Sequence, residues 1–212
     1  MTKIIKYRLT KNDLMNSLSA WNKFLKRKVH LIACGGTALT LVGVKDSTKD
    51  VDFMVPIEGE YNYLISAIKE IGYYSITGWG WQRDGEEYVF DLFKENSIHT
   101  TELLESPLQE GNNTVLFELT HLYVGILNHY DLLISKLFRG DSVDIDDCLM
   151  LIKQKREEID IDRFKERFLE SAKYDNNEEK QNITLKYFLN ILKKEHIYER
   201  RKPIKRSRQI RI

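Results

Sequence analysis

Two aspartates inside an apolar stretch constrain this chain more than anything else in it. The segment runs Val29-His30-Leu31-Ile32-Ala33, stops at Cys34 and the adjacent glycines Gly35 and Gly36, and continues through a short apolar run from Thr37 to Gly43. It then returns as Asp50-Val51-Asp52-Phe53-Met54-Val55. The first run reads as a short buried strand and the second as a helix packed on a sheet. The third alternates, which predicts a strand with Val51, Phe53 and Val55 on one face and Asp50, Asp52 and Met54 on the other.

Carboxylates two positions apart on one strand face have α-carbons roughly 6.6 Å apart. They repel each other, and burial makes their charged forms still less favourable. Solvent, basic partners or divalent cations would relieve the conflict. Magnesium takes carboxylate oxygens together with substrate phosphates rather than an all-protein cage. Two such ions roughly 3.5–4 Å apart can clamp the attacking and leaving oxygens of a phosphoryl group. Gly35 and Gly36 lack side chains and so admit a phosphate close to the backbone. The N–H groups opening the next helix favour an anion, and Thr37 adds a hydroxyl. Each half alone has an ordinary reading: a tight turn for the glycines, a solvated edge or helix cap for the acids. In the order strand, Gly-Gly-Thr, helix, Asp-Val-Asp-Phe, they point together to phosphate on the first and metal on the second.

Gly35, Gly36 and Thr37, followed after Gly36 by thirteen intervening residues and then by Asp50, Val51, Asp52 and Phe53, resemble the signature of the polymerase-beta-type nucleotidyltransferase superfamily. Within it the chain is similar to the abortive-infection (AbiEii-like) toxin nucleotidyltransferases and their uncharacterised relatives. The stretch from Asp131 to Asp147 resembles their downstream helix, with Asp, Lys, Arg and a closing acidic cluster. The strong part of the resemblance covers residues 28–95 and the weaker part about 126–155. It implies a third carboxylate on a neighbouring strand. Asp91, flanked by apolar residues in Tyr88-Val89-Phe90-Asp91-Leu92-Phe93, is the natural candidate, with Glu87 on the same strand face as the fallback. General-base duty for Asp91 is likewise an implication of the resemblance.

The rest of the chain divides by period. Thr10 and Asp13 form a variant capping box ahead of a helical stripe through Leu14, Leu18, Trp21, Phe24 and Leu25. Tyr61, Leu64, Ile65, Ile68 and Ile71 mark a second helix closed by Gly72. Residues 73–81 and 87–93 read as two strands joined around Asp84-Gly85. Residues 114–120 and 122–127 read as two more. From about Asn128 the period is helical: Leu133, Ile134, Leu137 and Phe138, ended by Gly140; then Ile145, Cys148, Leu149 and Ile152; then Phe164 and Phe168; then Leu185, Phe188, Leu189 and Leu192. The expected fold class is α+β: a nucleotidyltransferase-type mixed sheet with flanking helices, followed by a C-terminal helical region. The expected organisation is an α/β domain over 1–127, a helical domain over 128–198 and a basic, flexible tail over 199–212.

Lys136 and Arg139 fall on the polar side of the first C-terminal helix, as phosphate or base contacts or as solvated cations favoured by the helix dipole. Asp144 and Asp147, one turn apart, suit a helix N-terminus with or without a ligand. Lys49 neutralises the acidic pair or touches a phosphate. The five histidines show no zinc spacing.

The composition is that of a globular chain, with 42% hydrophobic and 31% charged residues among 212 and a net charge of +1, so total charge selects no partner. Seven Lys or Arg between Arg200 and Arg211 are a candidate contact for an RNA acceptor. Cys34 and Cys148 form no paired motif, which suits free thiols in a reducing compartment. With no signal-peptide pattern at the N-terminus and no apolar run of about 18 residues, a cytoplasmic location is expected.

The resulting expectation is a Mg²⁺-dependent nucleotidyltransferase, two ions bound and Mn²⁺ as a substitute. It moves a nucleoside monophosphate from an NTP to a hydroxyl of an RNA, a protein or a small molecule. Asp50, Asp52 and Asp91 hold metal and perform catalysis, while Gly35, Gly36, Thr37, Lys49 and Lys136 bind the nucleotide. No motif selects the base, so ATP stands beside GTP, CTP and UTP. The toxin resemblance implies an antitoxin partner. The alternative is a non-catalytic nucleotidyltransferase-like scaffold that binds RNA or protein.

Overall fold

The structure, a computed structural model, describes residues 8–198; the expected basic tail at 199–212 lies outside them. In chain order the elements begin with β1 (Leu9–Thr10), α1 (Lys11–Phe24), β2 (Val29–Ala33), α2 (Gly35–Leu41), β3 (Ser47–Thr48), β4 (Val51–Val55) and α3 (Glu58–Glu70). Then come β5 (Tyr73–Ser75), β6 (Gly80–Arg83), β7 (Phe90–Lys94), β8 (Ser97–Ile98), β9 (Thr101–Glu102), β10 (Asn113–Glu118) and β11 (Leu122–Leu127). Four helices follow: α4 (His129–Arg139), α5 (Ser142–Gln154), α6 (Ile161–Ala172) and α7 (Glu178–Lys194). This is the α+β architecture expected: a mixed sheet with flanking helices, then helices alone.

Seven strands form the main sheet in the order β10-β11-β2-β4-β7-β6-β5. Its centre is β2, β4 and β7, with β2 antiparallel to β4 and β4 parallel to β7. Leu31, Ile32, Ala33, Phe53, Met54, Val55, Phe90 and Leu92 are fully buried there. Burying one such large side chain contributes about 2–3 kcal/mol. Successive residues are buried, so β4 is covered on both faces, as central strands in mixed sheets are. The expected alternation therefore holds only at its start: Met54 is as buried as Phe53, and the strand begins at Val51, leaving Asp50 exposed just before it.

Residues 73–81, expected as one strand, are two, joined by a turn through Ile76–Trp79. Thr77 breaks the run by accepting hydrogen bonds at its Oγ1 from the N–H groups of Gly80 (2.7 Å) and Trp79 (3.4 Å). The expected turn at Asp84-Gly85 connects β6 and β7, with Gly85 at φ +86°. β7 starts at Phe90, so Glu87 lies before the strand and shares no strand face with Asp91.

The capping box at Thr10 and Asp13 is present and starts α1. Asn128 caps α4 through a side-chain bond to the Asp131 N–H, and Gly140 closes it in the left-handed conformation. α4 is buried nearly all round, from Asp131 to Phe138, and packs against α2, α5, α6 and α7. Asp131 in its first turn accepts both arms of Arg167 of α6, at 2.7 and 2.9 Å. That bidentate pair ties α6 to α4.

Candidate active site

β4 and β7 run parallel with Asp52 directly opposite Asp91. In-register residues of neighbouring strands point to the same face, so two acids far apart in sequence stand side by side. Asp50 lies two residues before Asp52, just ahead of β4. All three line a cleft of about 400 Å³ whose opposite wall is α4 and the start of α5, with Lys136, Arg139, Asp144 and Asp147. A second hollow of about 410 Å³, walled by Trp21, Phe24, Tyr73 and Tyr88, shares none of these residues; its carboxylate, Glu86, is paired with Arg83.

The Gly-Gly-Thr segment builds the acidic side. Asp52 Oδ2 accepts from the N–H groups of Gly36 at 3.0 Å and Thr37 at 3.4 Å. Gly35 is at φ +53°, and a Cβ there would lie 2.5 Å from Asp52 Oδ2. A Cβ on Gly36 would lie 2.7 Å from Thr48 Oγ1. The glycines thus let a carboxylate, in this structure, approach the backbone where the sequence places a phosphate. Thr37 is fully buried. Its hydroxyl accepts from the Asp52 N–H at 2.8 Å and donates to the Asp50 carbonyl at 3.2 Å. Thr48 Oγ1 donates to the same carbonyl at 3.0 Å. These bonds pin the backbone on either side of Val51 and set where both acids stand.

Burial pushes the Asp91 carboxyl up to about 7, with the charges of Asp52 and then Asp50 adding to it and Arg139 opposing. Asp52 is raised too, by burial first; Lys136 pulls it back and Asp50 pushes it further. Burial and neighbouring carboxylates therefore disfavour the ionised forms of Asp52 and Asp91. In donor chemistry they suit a hard divalent cation, which prefers carboxylate oxygen. They do not form a closed cage: among the described residues no three His, Cys, Asp or Glu side chains are gathered as a ligand group.

The cationic wall differs from its expected form. Lys136 is buried rather than on a polar helix face. Its Nζ donates to Asp147 at 2.7 Å and Asp144 at 3.3 Å. Lys45 reaches the other Asp147 oxygen at 2.8 Å. Arg139 grips Asp144 with Nε at 2.6 Å and Nη2 at 2.5 Å, while Nη1 donates to His99 Nε2 at 3.1 Å. Burial works to raise the Asp144 carboxyl, but Arg139 and Lys136 outweigh it and hold it below the usual range. Burial alone would lower Lys136; Asp147 and Asp144 reverse that and raise it. Lys45, Lys136 and Arg139 are thus interleaved with Asp141, Asp144 and Asp147 in this wall, and Lys136 and Arg139 look across the cleft at Asp50, Asp52 and Asp91. Lys49 is exposed at the cleft rim. Lys45, Arg8 and His99 also line the cleft and were not singled out in the sequence. Their only signal there was a basic or imidazole side chain without periodicity.

The family described as "nucleotidyltransferase of unknown function (DUF6036)" matches residues 12–200, nearly the whole chain. The protein belongs to that nucleotidyltransferase family. No curated protein matches this member of the family. Among solved structures it is similar to the crystal structure of ANT(2")-Ia in complex with adenylyl-2"-tobramycin, at 12% identity and a TM-score of 0.52, over 76% of this chain and 96% of that one. The solution structure of the antibiotic-resistance factor ANT(2'')-Ia matches at 13% identity and a TM-score of 0.47, over 86% and 95% of the two chains. At such identity the first likeness speaks for the fold, and the second carries no argument. The DUF6036 protein is accordingly a nucleotidyltransferase in fold and family, and an enzyme with a nucleotide as substrate. Among its described residues no helix is long and apolar enough to cross a membrane.

Proposed function

We propose that this protein moves a nucleoside monophosphate from an NTP to a hydroxyl group and releases pyrophosphate, with Mg²⁺ as its working cation. The observation that carries the reading is the register of β4 and β7, which sets Asp52 opposite Asp91 beside Asp50 and across the cleft from Lys136 and Arg139. In the reaction the acceptor oxygen bonds to the α-phosphorus, the bond from that phosphorus to the bridging oxygen breaks, and pyrophosphate leaves. Asp91, the acid facing Asp52 across the strand pair, takes the hydroxyl proton. Asp50, Asp52 and Asp91 would hold two magnesium ions, or manganese in their place; when bound, these would neutralise charge on the phosphates. Gly36 and Lys49 contact the triphosphate at the cleft. Lys136 acts on it through its charge, and Gly35 and Thr37 act by setting the Asp52 carboxylate. Arg139 donates to phosphate oxygens with the N–H groups it has left. Positioning and electrostatics supply most of the rate in such chemistry.

The test is incubation with each labelled NTP, Mg²⁺ and total cell extract, asking which species becomes labelled. Transfer should vanish in Asp52→Asn while the thermal melt stays cooperative; wild-type transfer by that variant refutes the site. A non-catalytic scaffold predicts instead no Mg²⁺-dependent thermal stabilisation by any of the four NTPs. An RNA acceptor met by the basic tail, and a toxin role under an antitoxin in the cytoplasm, are settings for the same chemistry. Growth arrest on expression that disappears with Asp50→Ala supports the toxin setting, and harmless expression removes it.

A further inference from the structure

We infer that His99 is a positioning residue for nucleotide binding: its imidazole Nε2 holds the Arg139 guanidinium in the orientation that receives phosphate. The inference rests on the nucleotidyltransfer reading above and adds to it a residue that neither the motif nor the family description assigns.

His99 sits at the tip of the two-residue connection between β8 and β9, at φ +53°. Few non-glycine residues adopt that conformation, and His is among those that do so more readily. Two rings hold the side chain: Phe93 with centroids 4.6 Å apart and Trp79 at 5.3 Å, both edge-on. Phe93 lies two residues past Asp91 on β7. The Trp79 carbonyl accepts from the Leu92 N–H at 2.9 Å. The imidazole is thus anchored to the strand that carries the third acid, and it reaches across to α4.

A guanidinium can only donate, so the His99 Nε2 that faces Arg139 Nη1 at 3.1 Å is the acceptor and the proton resides on Nδ1. Arg139 has five N–H donors. Asp144 takes the Nε and one Nη2 donor, and His99 takes one on Nη1. One N–H remains on each terminal nitrogen, available to the oxygens of a phosphate. Asp144 holds the plane through Nε and Nη2 and His99 through Nη1, so together they restrict its rotation. Arg139 is 42% exposed and lines the cleft with Asp52 and Asp91, so the two remaining donors belong to the substrate side of the wall. Preorganisation of this kind lowers the ordering cost of binding.

Three variants test the inference. His99→Gly suits the backbone and deletes the acceptor. His99→Leu keeps bulk against Trp79 and Phe93 without an acceptor. His99→Gln restores an acceptor of similar reach. Calorimetric titration with ATP, GTP, CTP and UTP in Mg²⁺ should show nucleotide Kd raised about tenfold in the Gly and Leu variants, the size of one charge-assisted hydrogen bond. Gln should recover most of it. In turnover the NTP KM should rise in parallel with kcat within about twofold. Unchanged Kd in Gly and Leu, or a Gln variant binding no tighter than Leu, overturns the inference. Should the Gly variant lose its cooperative melt, the Gln–Leu pair decides alone. A wild-type protein that binds none of the four nucleotides removes the function reading and this inference with it. Wild-type binding with indifferent variants removes the inference alone.

Discussion

Asp91→Asn should make the metal-free protein more stable, and only where Asp91 would be ionised. The carboxyl rises from 3.8 to about 7 on folding, through burial first and then the charges of Asp52 and Asp50. About three pH units at 1.36 kcal/mol each set a ceiling of roughly 4 kcal/mol. Asp91 opens partly onto cleft water, and screening there reduces the effect to about 1–2 kcal/mol. The sign follows from linkage: a carboxyl harder to ionise when folded than when unfolded lowers folding stability as pH climbs from about 4 through about 7, and the loss is complete above that. Asparagine has the same shape and never ionises. At pH 8, with chelator present, the variant should therefore melt roughly 3–6 °C higher than wild type for a chain of this length. The gap should close near pH 4. Scanning calorimetry at both pH values reads it directly. A variant no more stable than wild type at pH 8, or a gap of equal size at both pH values, refutes the claim that burial and its acidic neighbours disfavour an ionised Asp91 in the folded state. Adding Mg²⁺ at pH 8 should raise the wild-type melting temperature more than that of the variant.

Gly35→Ala puts a methyl 2.5 Å from Asp52 Oδ2 at a backbone φ of +53°. It should leave a folded protein by circular dichroism but lower labelled-nucleotide transfer on the order of a hundredfold, the scale of a misplaced catalytic group. Lys136→Met removes the buried partner shared by Asp144 and Asp147, and urea unfolding should show a loss of about 3–5 kcal/mol. That loss should shrink only as pH falls below the usual carboxyl range, where Asp144, held low by Arg139 and Lys136, takes up its proton and no longer needs the ammonium.

The local part of the site was legible in the sequence because local rules govern it. β2, the glycine turn, α2 and β4 follow one another directly, and each has its own composition signature. The third acid came from the resemblance, and only the parallel pairing of β4 and β7 places it opposite Asp52. What escaped depends on partners remote in the chain. Lys136 reads as a residue of the polar helix side, a phosphate contact or a solvated cation, because the apolar stripe runs through Leu133, Ile134, Leu137 and Phe138; it is instead buried against acids on α5 and shares one of them with Lys45. The alternation at Asp50–Val55 looked like a one-sided strand because no local pattern announces that a helix will cover the other face. Residues 73–81 looked continuous because aromatic β-formers masked the turn that Thr77 makes. His99 carried no signal beyond its imidazole, since its conformation and its bond to Arg139 exist only once the β8–β9 connection rests on β7.

The parallel ladder between β4 and β7 has a practical corollary. Because two adjacent rungs, rather than the intervening chain, decide how far apart the acids sit, the excursion through α3 and the β5–β6 hairpin is free to drift in length. Extra residues at the Asp84-Gly85 corner would be absorbed as a longer surface loop. A protein engineer could splice a reporter there and leave the chemistry undisturbed.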